Sequence, residues 1–172
     1  MDSDYLDWFI KPNVRQLEVL ELVHIDLMGE TLPMKYLRHL QKLKTLHFQH
    51  KKISTETFDC IIDGITNCTR LRELGLYCPS EEVNFQVQKI SGLAHLRSLT
   101  LSGFIEDIAL KNIGNFGLLH SLALESEVLT NEAIAHIKKI ASLKFLDIQN
   151  TNIHDVYELA DLNSGVSISM CH

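Results

Sequence analysis

Apolar positions along the chain follow two rhythms that hand over to one another. In "ISTETFDCIIDGI", Phe58, Ile61, Ile62 and Ile65 recur three and four residues apart, the spacing of one helix face. In the following "LRELGL", Leu74 and Leu76 stand two apart, as they would on one side of a strand. The same change recurs. L-x-x-L-x-L appears as "LEVLEL" from Leu17, "LKTLHF" from Leu43, "LRELGL" from Leu71, "LRSLTL" from Leu96, "LHSLAL" from Leu119 and "LKFLDI" from Leu143. The middle leucines Leu20, Leu46, Leu74, Leu99, Leu122 and Leu146 are separated by 26, 28, 25, 23 and 24 residues, and a degenerate seventh unit, "VSISM", places Ile168 another 22 residues on.

Steps of this size lie within the roughly 20 to 29 residues of a leucine-rich repeat, one short strand plus a helix or helical turn. The pattern predicts an α/β solenoid of six to seven repeats, with a curved parallel sheet on the concave side and helices on the convex side. Helix starts are encoded locally. Ser54 or Thr55 precedes one helix with Glu56 in its first turn, and Thr130 and Asn131 with Glu132 precede another, so side-chain oxygens can accept the free N–H groups. Ala133, Ile134, Ile137 and Ile140 form the second helix's inward face. Residues 1–16 are expected to be an N-terminal helical cap, with Tyr5, Leu6, Trp8 and Phe9 covering the first repeat and Asp2 or Ser3 capping it, and residues 17–172 the repeat domain. At the other end Ile168 and Met170 alternate as buried strand residues do. This predicts an open edge strand around Val166 to Met170 through which the chain self-associates, or a longer array of which it is a part.

The composition fits one ordinary soluble domain: 172 residues, 45% hydrophobic and 22% charged. A formal charge of -6 gives no footprint for nucleic acid, and the cluster Lys42, Lys44, Lys51 and Lys52 reads as a solvated face. No window approaches about eighteen uninterrupted apolar residues. The start, "MDSDYLDWFIKPNV", is acidic where a secretion signal would be basic. The expectation is no membrane and a cytoplasmic location, with the nucleus as the alternative. Cys60, Cys68, Cys78 and Cys171 form no C-x-x-C pair and read as free thiols, Cys60, Cys68 and Cys78 as small buried hydrophobes.

No nucleophile, base and orienting acid can be assembled from the sequence, so neither an enzyme nor a cofactor is expected. His24 and His50 occupy the same place in the first two repeats, with His47 near them. A zinc site needs three or four ligands, and polar surface residues are the preferred reading. The outward positions of the strands then carry the candidate chemistry. They include Glu21, His47, Gln49, Glu73, Tyr77, Thr100, Glu125, Phe145, Asp147 and Gln149. The concave surfaces of parallel solenoids commonly bind partners, and exposed aromatics such as Tyr77 and Phe145 are the residue types that dominate interfaces.

At "NCTRLRELGLYC", where Cys68 and Cys78 flank the leucine strand, and at "LTNEAIAHIKKIASLKFLDIQNTNI", the chain resembles the cysteine-containing, ribonuclease-inhibitor-like class of leucine-rich repeats found in F-box proteins. The resemblance spans roughly Leu17 to Leu162. It implies a non-enzymatic protein-binding module, in one reading the substrate-recognition part of a ubiquitin ligase and in the other an inhibitor or scaffold with no ligase connection. The chain departs from the family at the position five after each middle leucine, which holds Ile25, Lys51, Pro79, Phe104, Glu127 and Thr151 rather than a ladder of asparagines. No F-box sequence is recognisable in the sixteen residues ahead of Leu17.

Overall fold

The computed structural model describes residues 14–23, 34–51, 53–80, 83, 85–162 and 165–171. Seven strands, β1 (Val19–Val23), β2 (Thr45–Gln49), β3 (Glu73–Cys78), β4 (Ser98–Gly103), β5 (Ser121–Glu125), β6 (Phe145–Gln149) and β7 (Ser167–Cys171), form one sheet in sequence order. Every neighbouring pair is parallel, and the register is the one the repeat dictates. Leu20, Leu46, Leu74, Leu99, Leu122, Leu146 and Ile168 form one column across the sheet; Leu22, Phe48, Leu76, Leu101, Leu124, Ile148 and Met170 form a second. A shift of one residue would turn both columns to solvent. The chain is therefore an α/β leucine-rich repeat solenoid.

The return segments are less uniform than the repeat suggests. Between Leu46 and Leu74 runs a three-turn helix, α1 (Thr55–Thr66), capped by Ser54, whose hydroxyl accepts from Thr57 N. Later returns hold short 3-10 turns at Val87–Ile90, Asp107–Leu110 and Ile113–Asn115. Asn131–Ala133 leads into α2 (Ile134–Ile137), and α3 (Val156–Ala160) follows β6. The 28-residue step leaves room for α1, but step length does not order the other returns, since the 26-residue step holds a 3-10 turn at Met34–His39 and the 22-residue step holds α3.

Both capping expectations are met, since Thr130 Oγ1 accepts from Glu132 N. Phe58, Ile61, Ile62, Ile65, Ala133, Ile134, Ile137 and Ile140 are all buried against the leucine columns. Cys68 and Cys78 are buried as well, and desolvation pushes their thiols up to about 11 and about 12. Cys60 is half-buried against the same core.

The missing asparagine ladder is replaced by dispersed ties between repeats. Ser126 Oγ accepts from Ile105 N and donates to Ile105 O. Asp107 accepts from Thr130 N and Thr130 Oγ1. Asn131 Oδ1 accepts from His154 N and Asp155 N. Buried or turn-bound backbone groups thus find partners without one repeated residue type.

β7 pairs with β6 on one side and is the last strand of the sheet among the described residues. Ile168 and Met170 are only half-buried. Of the expected cap at 1–16, residues 14–16 form a 3-10 turn; Asp2, Ser3, Tyr5, Leu6, Trp8 and Phe9 lie outside the described residues, as does His24. No described helix is long and apolar enough to cross a membrane.

Candidate functional site

Because strand side chains alternate, the register of the leucines also aligns three outward rows on the concave face. The first reads Val19, Thr45, Glu73, Ser98, Ser121, Phe145, Ser167. The central row reads Glu21, His47, Gly75, Thr100, Ala123, Asp147, Ser169. The third reads Val23, Gln49, Tyr77, Ser102, Glu125, Gln149. The middle of the central row is thin, since Gly75, Thr100 and Ala123 are small and are flanked by His47 and Asp147.

Tyr77 uses that thinness. A methyl group on Gly75 would lie 2.9 Å from Tyr77 Cε2 and 3.1 Å from His47 Cδ2, so the tyrosine ring leans back across the bare glycine. There it meets the His47 ring edge-on, centroids 6.5 Å apart. His47 Nε2 is 3.1 Å from Glu73 Oε1, a half-exposed pair of the kind that contributes about 0 to 1 kcal/mol. These three residues form one connected group. Glu21 is in register with His47, and Gln49 with Tyr77, at its border.

On the other side of the Tyr77 ring the sheet carries a shallow cleft of about 190 Å³. Thr100 and Ala123 line it together with Tyr77, Glu125, Asp147 and Gln149. Its acids are held in place: Glu125 accepts from Ser102 Oγ and from Asn150 Nδ2, both at 2.9 Å, and Asp147 Oδ2 accepts from Gln149 Nε2 at 2.9 Å. Asp147 Oδ1 is shielded from solvent and meets no donor among the described residues. A shielded carboxylate oxygen with no donor is costly.

The structure thus brings five of the ten sequence-derived candidates, Tyr77, Thr100, Glu125, Asp147 and Gln149, to one cleft. His47, Glu73 and Tyr77 form the adjoining group. Phe145 stands apart in the first row, 58% exposed. Asn150, which steadies Glu125, was not among the candidates. Its signal is conformational: it sits at φ 49°, a left-handed position that asparagine tolerates better than most residues. Among the described residues no three His, Cys, Asp or Glu side chains are grouped to hold a metal; His50 stacks on Phe48 with centroids 6.4 Å apart.

No protein-family model and no curated protein matches the chain's sequence. Among solved structures the chain is similar to internalin C2 of Listeria monocytogenes, at 16% identity and a TM-score of 0.48, over 79% of this chain and 74% of that one. It is also similar to an internalin (inlF) of the same organism, at 20% identity and a TM-score of 0.40, over 91% of this chain and 61% of that one. Likeness at this level carries no functional argument, and the chain's own strand register is what defines it as a seven-strand leucine-rich repeat solenoid.

Proposed function

We propose that the protein is a non-enzymatic interaction module that binds a partner protein on its concave face. The observation that carries this reading is the cleft beside Tyr77, a trough of small side chains with an aromatic wall and an acidic wall in which Glu125 and Asp147 are fixed by side-chain hydrogen bonds. An aromatic next to fixed acceptors is the composition of an interface anchor. Phe145 extends the apolar contact along the face. The test is affinity purification with mass spectrometry from the native cell, comparing wild type with Tyr77→Ala/Phe145→Ala. The expected result is a partner that wild type captures and the double variant loses, while thermal stability stays nearly unchanged. Undiminished capture by the double variant refutes the reading, and so does equal loss of fold and binding.

The ubiquitin-ligase role rests on the resemblance to F-box repeats alone, and co-purification of a cullin complex is its test; inhibition or scaffolding of ribonuclease-inhibitor type is the alternative. A cytoplasmic or nuclear site of action belongs to the same proposal and is checked by imaging the tagged protein. So does self-association through β7, whose outer backbone groups pair with no strand among the described residues. Sedimentation that is strictly monomeric at high concentration removes it.

A further inference from the structure

The residue two before each middle leucine reads Glu18, Lys44, Arg72, Arg97, His120, Lys144. The residue four before reads Gln16, Lys42, Arg70, His95, Leu118, Ser142. In a sheet where each strand pairs with the next repeat, such positions become lines, and the backbone shows that they do. Glu18 O accepts from Lys44 N, Lys44 O from Arg72 N, and Arg72 O from Arg97 N, each at 2.7 Å; Arg97 O accepts from His120 N and His120 O from Lys144 N, each at 2.8 Å. Side chains confirm the alignment at its start, where Lys44 Nζ lies 2.7 Å from Glu18 Oε1 and Lys42 Nζ donates to Gln16 Oε1. Lys42, Arg70, Arg72, Arg97 and Lys144 are exposed.

The field of this edge is felt at its start. The Glu18 carboxyl is held below its ordinary range, first by the hydrogen bond and charge of Lys44 and then by smaller pulls from Lys42 and Arg72. Farther along, Arg70, Arg72, Arg97 and Lys144 make no ion pair and no side-chain hydrogen bond among the described residues. On the convex side, by contrast, Lys89 pairs with Asp59, and Lys138 faces Glu158 and Asp161. A chain with 22 acids and 16 bases has carboxylates available, yet past Lys44 the exposed arginines and Lys144 of this border have no carboxylate partner among the described residues. Lys42 and Lys44 therefore belong with the arginines of later repeats rather than with Lys51, which follows the opposite end of β2.

We propose that this edge is a second interaction surface, separate from the concave cleft, that takes an extended acidic segment of a partner protein. Strands lie about 4.8 Å apart, so Lys44 to Lys144 spans roughly 19 Å, the length of about six extended residues. Guanidinium groups at Arg72 and Arg97 grip carboxylates in a two-pronged way that ammonium groups do not. A nucleic acid fits less well. The chain is negatively charged overall, Glu18 and Glu73 stand on the same border, and Phe145 is the one aromatic in the adjoining outward row, whereas single-strand grooves interleave cations with several stacking rings.

The test is fluorescence anisotropy with a labelled peptide of about six glutamates, matched to the length of the edge, and a single-stranded oligonucleotide of equal charge. The peptide is expected to bind wild type, and Arg72→Glu/Arg97→Glu to weaken it by about tenfold or more. Salt should weaken it too. Lys111→Glu/Lys139→Glu, the same charge change on the convex side, should retain binding, as should Tyr77→Ala/Phe145→Ala, which separates this proposal from the concave site. Arg72→Gln/Arg97→Gln serves if the reversed variant fails to fold. No peptide binding at low salt, equal weakening by the convex reversal, or tighter binding of the oligonucleotide each overturns the assignment.

Discussion

Leu122→Ala tests the packing of the repeat directly. Leu122 has no solvent exposure and sits in mid-column, in register with Leu99 on one side and Leu146 on the other. Removing three carbons costs about 2.4 kcal/mol at roughly 0.8 kcal/mol per buried carbon. Leu99 and Leu146 are held by their own strand pairings and cannot collapse into the space, so the residual cavity adds about 1 to 2 kcal/mol. The expected loss is about 3.5 to 4.5 kcal/mol, or roughly 7 to 18 °C in Tm for a domain of this size. Urea denaturation followed by circular dichroism measures it, with an unchanged slope showing that unfolding stays cooperative. Ser121→Ala, the outward neighbour, is the control and should stay within about 0.5 kcal/mol. A loss below about 1.5 kcal/mol for Leu122→Ala would show that the column is not close-packed, and the burial argument for the whole sheet would fail with it.

Leu74→Ala, equally buried on β3, should cost about 2 to 5 kcal/mol by the same route, whereas Ile168→Ala on half-buried β7 should cost about 1 kcal/mol; equal losses would contradict the observed gradient of burial. Ser54→Ala removes the hydroxyl that accepts from Thr57 N and should cost about 1 kcal/mol, read from the same denaturation curves. Gly103→Ala should destabilise by about 1 to 3 kcal/mol or more, because a Cβ there, at φ 141°, would sit 2.1 Å from Cys78 O; Gly92→Ala, with open space around it, should be nearly neutral. The raised thiols of Cys68 and Cys78 predict a pH effect. Their folded pKa values of about 11 and about 12 exceed the ordinary 9.0, so the unfolded chain loses these protons first, and the stability present below pH 9 declines as pH rises toward 11 and beyond. Alkylation at pH 8 mapped by mass spectrometry should label Cys60 well before either, and equal labelling would refute their burial.

Strand existence, register and column membership were legible because one residue type, leucine, marks every repeat at fixed offsets, and parallel pairing of consecutive units then leaves no freedom in which residues align. The helices were less legible. Nothing in "LTNEAIAHIKKI" distinguishes a regular helix from the 3-10 turn and single α-turn found there; that is decided by packing against the neighbouring returns, a tertiary constraint. The capping residues Ser54 and Thr130 could be read because a cap is a contact within three residues. At the site, Tyr77 and Asp147 were identified as outward, but their roles depend on Gly75 having no side chain and on Ala123 being small, which becomes meaningful only once the neighbouring strands are in register. The line of Arg72 and Arg97 was present in the sequence at a constant offset from the leucines. It stays hidden when charges are counted along the chain instead of across repeats.

The strict sequence order of the sheet also governs how the chain can be built. Each strand's register partner lies 22 to 28 residues away and never farther, so no pairing has to wait for a distant part of the polypeptide. A newly synthesised repeat finds its docking surface already assembled in the unit made just before it. Growth from the N-terminal side can therefore proceed as a zipper during translation, with short loop closures at every step and with the growing edge confined to the most recent strand.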